Sequence, residues 1–486
     1  MHPDSPESLA ANAARGVMWT GAGQVVRQLV QIVSQLVLVR LLVPGDFGLL
    51  GMAMFFVGVG QLLVDFGIGS ALVQSGGEDR VLISSCFWLG MAVAGALTLS
   101  TLACSPLIAS FYGRVDLAPL VAVLSLNLLI SGLQVVPSAL LYRDMRFADL
   151  ARAQVLATLL AAVVAIMMAS LGAGVWALVA QPLVGGVVVL CLYAVAAKWR
   201  PRFEFSWPLV APLARFSAAL LGTSLLGYAS RNVDGLLIGR TLGAGPLGHY
   251  SMAIQLMLYP LQQVSSVIVR VLFPTLVHLK EDLPRLRSAY MKAVGTIALL
   301  AFPIMGGLFS LADNFVLVVF GPSWIEMIPV LKVLAWVGML QSIGTTVGTI
   351  YLSTNNMQIA LRVTLLATPV LIGGMIVGLP WGIFGVAMGY AVATLLVSFY
   401  TFITAFAVIN LSLGDFFSTI SRPFLATVLM IIILLMLIPA LDILSATLQL
   451  GTSIVLGIIS YGIASIVINR VQLNEVISIL RLLRAK

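Results

Sequence analysis

Apolar residues in this chain come in unbroken stretches of twenty or more, bounded by glycine, proline and charged residues. That is neither the alternation of a half-buried strand nor the one-sided stripe of a soluble helix. Windows of this kind predict fourteen membrane-spanning helices, near 17–43, 47–74, 81–105, 117–141, 148–171, 174–197, 213–241, 246–277, 292–312, 326–352, 359–379, 381–409, 422–441 and 447–468. The segments between them are short. The longest, 198–212 and 278–291, run about fifteen residues, and no soluble domain fits anywhere. A porin-like barrel is excluded by the same pattern, since its strands alternate apolar and polar positions.

An internal repeat is superimposed on the spans. Shifted by 200 residues, RLLVPGDFGLLGMA (40–53) lies over RTLGAGPLGHYSMA (240–253), with six identities in fourteen positions. The matched segments join the first span to the second and the seventh to the eighth. Six spans separate them, so both halves enter the membrane from the same side. The predicted architecture is an all-α polytopic membrane protein with 14 transmembrane helices, two parallel six-helix lobes plus two C-terminal helices. It divides into a cytoplasmic N-terminal segment (1–16), an N-lobe (17–197), a cytoplasmic linker (198–212), a C-lobe (213–409), helices 13 and 14 (410–468) and a cytoplasmic tail (469–486). Rocking of the lobes is expected to bring 40–53 and 240–253 together when the protein faces inward. Gly45, Gly48, Gly245 and Gly248 would let the backbones approach there, because no Cβ intervenes.

Composition agrees with the pattern: 60% of the 486 residues are apolar and only 9% charged, and the mean hydropathy is +1.09. A soluble domain carries about 25% charged residues. The net charge of +8 would suggest nucleic acid for a soluble protein, but here the basic residues sit in short loops, as topology signals and anionic-headgroup contacts. With the N-terminus placed in the cytoplasm, nineteen of the 26 Lys and Arg fall on cytoplasmic flanks, four on outer flanks and three inside spans. That split is the positive-inside bias, and it predicts both termini in the cytoplasm. The opening residues lack a positive stretch followed by a cleavage site, so no signal peptide is expected. Cys86, Cys104 and Cys191 all lie in apolar spans, which gives neither a disulfide framework nor a metal site.

Polar residues inside the spans are the candidates for chemistry. In the first span Thr20, Gln24, Arg27, Gln28, Gln31 and Gln35 share one helix face. Lipid cannot hydrogen-bond amides and a guanidinium, so this face meets water or protein: a hydrated cavity wall, or an interhelical polar seam. Arg27 lies near the midplane, and Asp65 in the second span is about as far from the inner end. Asp65 is either the neutralising partner of Arg27 or a proton or cation site. Gly67 and Gly69 after it weaken the helix. The eighth span carries Arg270 and Pro274 in the corresponding stretch, and interrupted helices at matching positions of two repeats point to a binding site. In the seventh span Ser217, Ser224, Tyr228, Arg231 and Gly235 share a face, with Asp234 three residues from Arg231, as an ion pair or beside a cavity. Gln134, Gln181, Gln255, Gln262, Gln263 and Gln341 are further amides within spans. His2, His249 and His278 are scattered, and no Walker-type loop or catalytic constellation is present. The chain is therefore expected to transport without catalysing a reaction, with no cofactor beyond coupling to a proton or sodium gradient.

Three segments carry a resemblance: the opening through LLVDFGIGSALVQ (62–74), PSALLYRDMRF (137–147) and NVDGLLIGRTLGAGPLGHYSMA (232–253). They resemble bacterial polysaccharide exporters, the Wzx-type flippases of the multidrug/oligosaccharidyl-lipid/polysaccharide superfamily. The resemblance implies a V-shaped two-lobed bundle in the inner membrane, flipping undecaprenyl-diphosphate-linked oligosaccharide by alternating access. The implied partners are the lipid-linked oligosaccharide, membrane lipids, and a polysaccharide polymerase and chain-length regulator. By motif position Arg27, Arg231 and Arg270 match the cationic cavity residues that meet the diphosphate, with Gln24, Gln28 and Gln31 suited to sugar hydroxyls and Asp65 and Asp234 to ion coupling. Arginine suits that anion, because its planar fork bonds phosphate oxygens bidentately. A cation-coupled multidrug exporter and a peptidoglycan-precursor flippase are the alternatives within the superfamily. A membrane glycan polymerase or ligase is an alternative outside it, and would place a large polar loop outside the membrane.

Overall fold

A computed structural model describes residues 6–64, 69, 72 and 80–470, without the side chains of 6–15, 17, 212–224, 226, 230 and 267. The described residues are helical, with no strand among them. The long helices are α1 (Pro6–Leu41), α2 (Pro44–Val64), α3 (Arg80–Tyr112), α4 (Leu117–Arg143), α5 (Phe147–Ser170), α6 (Val175–Ala197), α7 (Trp207–Thr241) and α8 (Ala244–His278). They continue with α9 (Leu283–Ser310), α10 (Met327–Gly344), α11 (Met357–Gly378), α12 (Gly382–Ile409), α13 (Leu413–Leu437) and α14 (Ala446–Ile468). Among the described residues eleven segments are long and apolar enough to cross a membrane, one of them Met357–Ile409, which holds both α11 and α12. Counting α8, bent by 40° between Ala244–Ser266 and Ile268–His278, makes twelve. This is a multi-pass membrane protein.

Local signals set the helix ends. Ser412 opens α13 by accepting the Asp415 N–H at 3.0 Å, and Asp282 opens α9 by accepting the Arg285 N–H at 3.2 Å; each satisfies a donor that the first turn leaves unpaired. At the start of α2 the Asp46 carboxylate accepts the Val43 N–H at 3.2 Å.

Packing follows membrane rules, with small residues facing protein and large apolar ones facing outward. Ala153, Ala157, Ala161, Ala165 and Ala169 form a buried stripe at four-residue spacing along α5, and Gly185 of α6 lies against Ala161. In α14, Ser453, Gly457, Ala464 and Ser465 are buried while Ile458, Ile463, Ile466 and Val467 stand exposed. The α11–α12 hairpin is closed by glycines. A Cβ on Gly378 would fall inside the Gly385 carbonyl, and one on Gly389 inside the Gly374 carbonyl, so these backbones touch through two GxxxG rows.

The chain divides into two compact units, Met1–Gly248 and His249–Lys486. In the first, α3 packs on α4, α5 on α6, α4 on α6, and α1 on α5. Gly16 faces Phe147, Gly23 faces Ala151 and Arg27 reaches Gln154, so α1 and α5 run parallel. α7 packs in this unit, on α2 and α3. In the second unit α9 packs on α10, α11 on α12, α10 on α12, and α9 on α13. Phe302 meets Phe424 and Gly306 meets Thr427, so α9 and α13 are parallel too. The α3–α4, α5–α6 and α4–α6 pairings thus recur six helices later. Even the amide that ties α4 to α6, Gln134 Nε2 donating to the Gly186 carbonyl at 2.7 Å, has a counterpart in Gln341 Nε2 donating to the Tyr390 hydroxyl between α10 and α12 at 2.7 Å.

Candidate functional site

Arg27 sits where α1 crosses α5. One Nη donates to Gln154 Oε1 at 2.5 Å and the other to Gln24 Oε1. Gln154 in turn donates from Nε2 to the Tyr193 hydroxyl of α6 at 3.1 Å. The guanidinium is half-buried, and both of its acceptors are neutral amides. Among the described residues no carboxylate bonds it, and the two amides fix its orientation. Gln24 and Gln31 are exposed and Gln28 is half-buried. An exposed amide at membrane depth needs water, and so the polar face of α1 divides: Arg27 is tied across the seam, with Gln24 and Gln31 exposed on either side of it. Asp65, the partner or ion site expected opposite Arg27, lies outside the described residues, as does Gly67.

α7 is pinned to α2 by Tyr228. Its hydroxyl lies 3.1 Å from the Met54 carbonyl and 3.3 Å from that of Phe55, over Gly58, where a Cβ would strike the phenol. One turn on, Arg231 is exposed. The Asp234 carboxylate accepts the Gly235 N–H at 2.8 Å, and among the described residues no ion pair joins it to Arg231. The Ser217 and Ser224 side chains lie outside the described residues. Arg27 and Arg231 share no partner among the described residues. In the second unit Arg270 follows the bend of α8, exposed, with Nε donating to the Ser266 carbonyl of its own helix at 3.2 Å.

The repeated segments meet. A Cβ on Gly48 would fall inside the Ala244 carbonyl, and one on Gly248 inside the Pro44 carbonyl. These contacts are reciprocal under the 200-residue shift, since 44 and 48 of one copy meet 248 and 244 of the other. Each helix N-terminus packs on its counterpart, and glycine alone fits at the crossing.

Three residues here had weak signals in the sequence. Gln154 is the one glutamine in an alanine-rich span, and Tyr193 and Tyr228 are single tyrosines within long apolar stretches. Arg146, from the PSALLYRDMRF segment, bonds the Ala196 carbonyl at the end of α6 at 2.6 Å and pairs with Asp149 at 2.6 Å, which gives that motif a structural role.

The fold is a multi-pass helical bundle that a solved membrane protein shares. The chain is similar to the lipid II flippase MurJ in its inward closed conformation, with a TM-score of 0.74 and 14% identity, covering 93% of this chain and 99% of that one. The sequence places it further: the chain belongs to the polysaccharide biosynthesis protein family, whose model matches residues 37–329. It is 27% identical to the lipopolysaccharide biosynthesis protein WzxC of Escherichia coli (strain K12) over 411 residues, 84% of this chain and 83% of that protein. It is 32% identical to the succinoglycan biosynthesis transport protein ExoT of Rhizobium meliloti (strain 1021) over 332 residues, 68% of this chain and 67% of that protein.

Proposed function

We propose that this protein flips undecaprenyl-diphosphate-linked oligosaccharide repeat units across the bacterial inner membrane by alternating access, for exopolysaccharide, capsule or O-antigen assembly. The observation that carries the reading is Arg27, a guanidinium at membrane depth whose described acceptors are two neutral amides. A cation at membrane depth favours an anionic ligand, and a diphosphate offers oxygens that a guanidinium bonds bidentately. Gln24, Gln28 and Gln31 are assigned to the sugar hydroxyls, and Arg231 and Arg270 are further cations assigned to the anion.

Asp65 and Asp234 are the coupling groups in this reading, and take a proton or sodium ion from the gradient. The chain acts as a transporter and not as an enzyme, without a cofactor, and its cargo passes to a polysaccharide polymerase and chain-length regulator. Fourteen crossings in two six-helix lobes plus two C-terminal helices, with both termini cytoplasmic, belong to the same proposal. The hairpin within Met357–Ile409 and the parallel α1–α5 and α9–α13 pairs support it, because odd-numbered spans of an alternating bundle run the same way.

The test is export in a strain lacking this protein. Wild type is expected to restore surface polysaccharide, whereas Arg27→Ala, at equal membrane abundance, leaves carrier-linked repeat units on the cytoplasmic side. Arg27→Lys is expected to restore part of the export, since it keeps the charge and loses the fork. Full export by Arg27→Ala would refute the reading.

A further inference from the structure

A second guanidinium lies on the seam between α1 and α5. Arg152, two residues before Gln154, places its Cζ 4.8 Å from the ring centroid of Trp19. Arg152 is exposed, and Trp19 is 44% exposed. Asp149, three residues earlier on α5, is the nearest acid in sequence, but it is held by Arg146 at 2.6 Å. Among the described residues no hydrogen bond or ion pair occupies the N–H donors of Arg152. A cation over an aromatic face is held in place without losing charge.

The position of the pair along the seam matters as much as its chemistry. Arg152 lies five residues into α5, about 8 Å from the helix start. Trp19 precedes Arg27 by eight residues, about 12 Å along α1. Thr20 and Gln24 are exposed on α1 across this stretch, and Gln31 is exposed one turn past Arg27. An anion that enters from the cytoplasmic side meets Arg152 first, and a continuous polar run leads from there to Arg27.

We infer that Arg152 and Trp19 form a loading subsite for the sugar-diphosphate headgroup at the cytoplasmic mouth, with Arg152 on the phosphates and the open part of the Trp19 ring against the first sugar. This rests on the flippase reading above. An ordinary phospholipid phosphate offers Arg152 similar chemistry, but it has no use for the amides that continue past the headgroup level. The substrate is therefore the assigned ligand.

The test uses the full chain in detergent, with undecaprenyl diphosphate, undecaprenyl phosphate and phosphatidylglycerol as probes, and binding read by native mass spectrometry. Arg152→Gln is expected to weaken undecaprenyl diphosphate binding about tenfold, the loss of a charge-assisted bond, and to leave phosphatidylglycerol unchanged. Arg152→Lys keeps the charge and should lower the preference for diphosphate over monophosphate. That ratio does not depend on the fraction of folded protein. Trp19→Ala should fall with Arg152→Gln, and Trp19→Phe between it and wild type. Loss of phosphatidylglycerol binding alone would make Arg152 a lipid anchor and overturn the assignment. Unchanged binding of all three probes would overturn it as well, with the flippase reading intact. A wild-type chain that binds no undecaprenyl diphosphate would instead remove the reading on which both rest.

Discussion

Gly48→Ala and Gly248→Ala each add one methyl group to a contact that has no room for it. At both positions the new carbon would coincide with a carbonyl of the other repeat copy, Ala244 or Pro44. Backbone cannot rotate aside as a side chain can, so the two helix ends must separate. Overpacking of this kind costs about 1–3 kcal/mol, which lowers the population of the packed contact by roughly five- to 150-fold. The double variant should cost less than the sum of the two, because the Gly248 Cβ position is also 3.2 Å from the Gly48 nitrogen and both clashes are relieved by the same separation. Gly45→Ala and Gly245→Ala are the controls: they lie on the same turns at matching repeat positions, with nothing within 4 Å of a new Cβ. The assay is disulfide cross-linking between cysteines at Asp46 and Pro246 in a background free of the three native cysteines, followed by export before and after reduction. Cross-linking should fall in the Gly48 and Gly248 variants and hold in the controls. Equal cross-linking in all four variants would refute the reasoning that this backbone contact holds the two repeat segments together.

Other expected outcomes test separate parts of the structure. Alkaline phosphatase fused after Gly113 or Gly245 should be active and after Lys486 inactive; an active C-terminal fusion would mean an odd number of crossings. If Asp65 serves only to neutralise Arg27, the Asp65→Asn/Arg27→Gln double variant should export better than either single one, whereas an obligatory coupling carboxylate keeps it inactive. Gly378→Val or Gly385→Val should separate α11 from α12 and lower thermal stability in detergent by about 1–3 kcal/mol, while Gly373→Val, which meets nothing within 4 Å, should not.

The helices were legible because a lipid-facing backbone must satisfy its own hydrogen bonds, which makes each span a long apolar run whatever its neighbours. The repeat was legible for a related reason. Gly48 and Gly248 are constrained by direct backbone contact, and such positions leave a mark in the sequence. Partner choice was not legible. The polar stripe on α1 is visible by periodicity, but whether Arg27 faces Gln154, Asp65 or water depends on the rotation of α1 against α5, set by Gly16, Gly23 and the alanine face of α5. Spacing makes Arg231 and Asp234 look like an i, i+3 pair, yet the carboxylate takes a backbone donor. The packing of α7 on α2 and α3 has no periodic signature either, since it is made by scattered contacts: Tyr228 over Gly58 on α2, and Gly239 against Tyr112 and Arg240 over Phe111 on α3.

In the proposed mechanism the Arg27 guanidinium recognises the diphosphate of a lipid-linked glycan as it crosses the membrane. The direct measurement is flipping of an undecaprenyl-diphosphate-linked glycan by the purified chain in proteoliposomes, read as protection of the glycan from an external glycosidase. Wild type should flip the diphosphate-linked glycan faster than the same glycan on a monophosphate carrier. Arg27→Gln should lose that advantage by roughly tenfold or more, the worth of a charge-assisted bidentate bond. Equal rates for the two carriers in wild type, or an unchanged advantage in Arg27→Gln, would contradict the account.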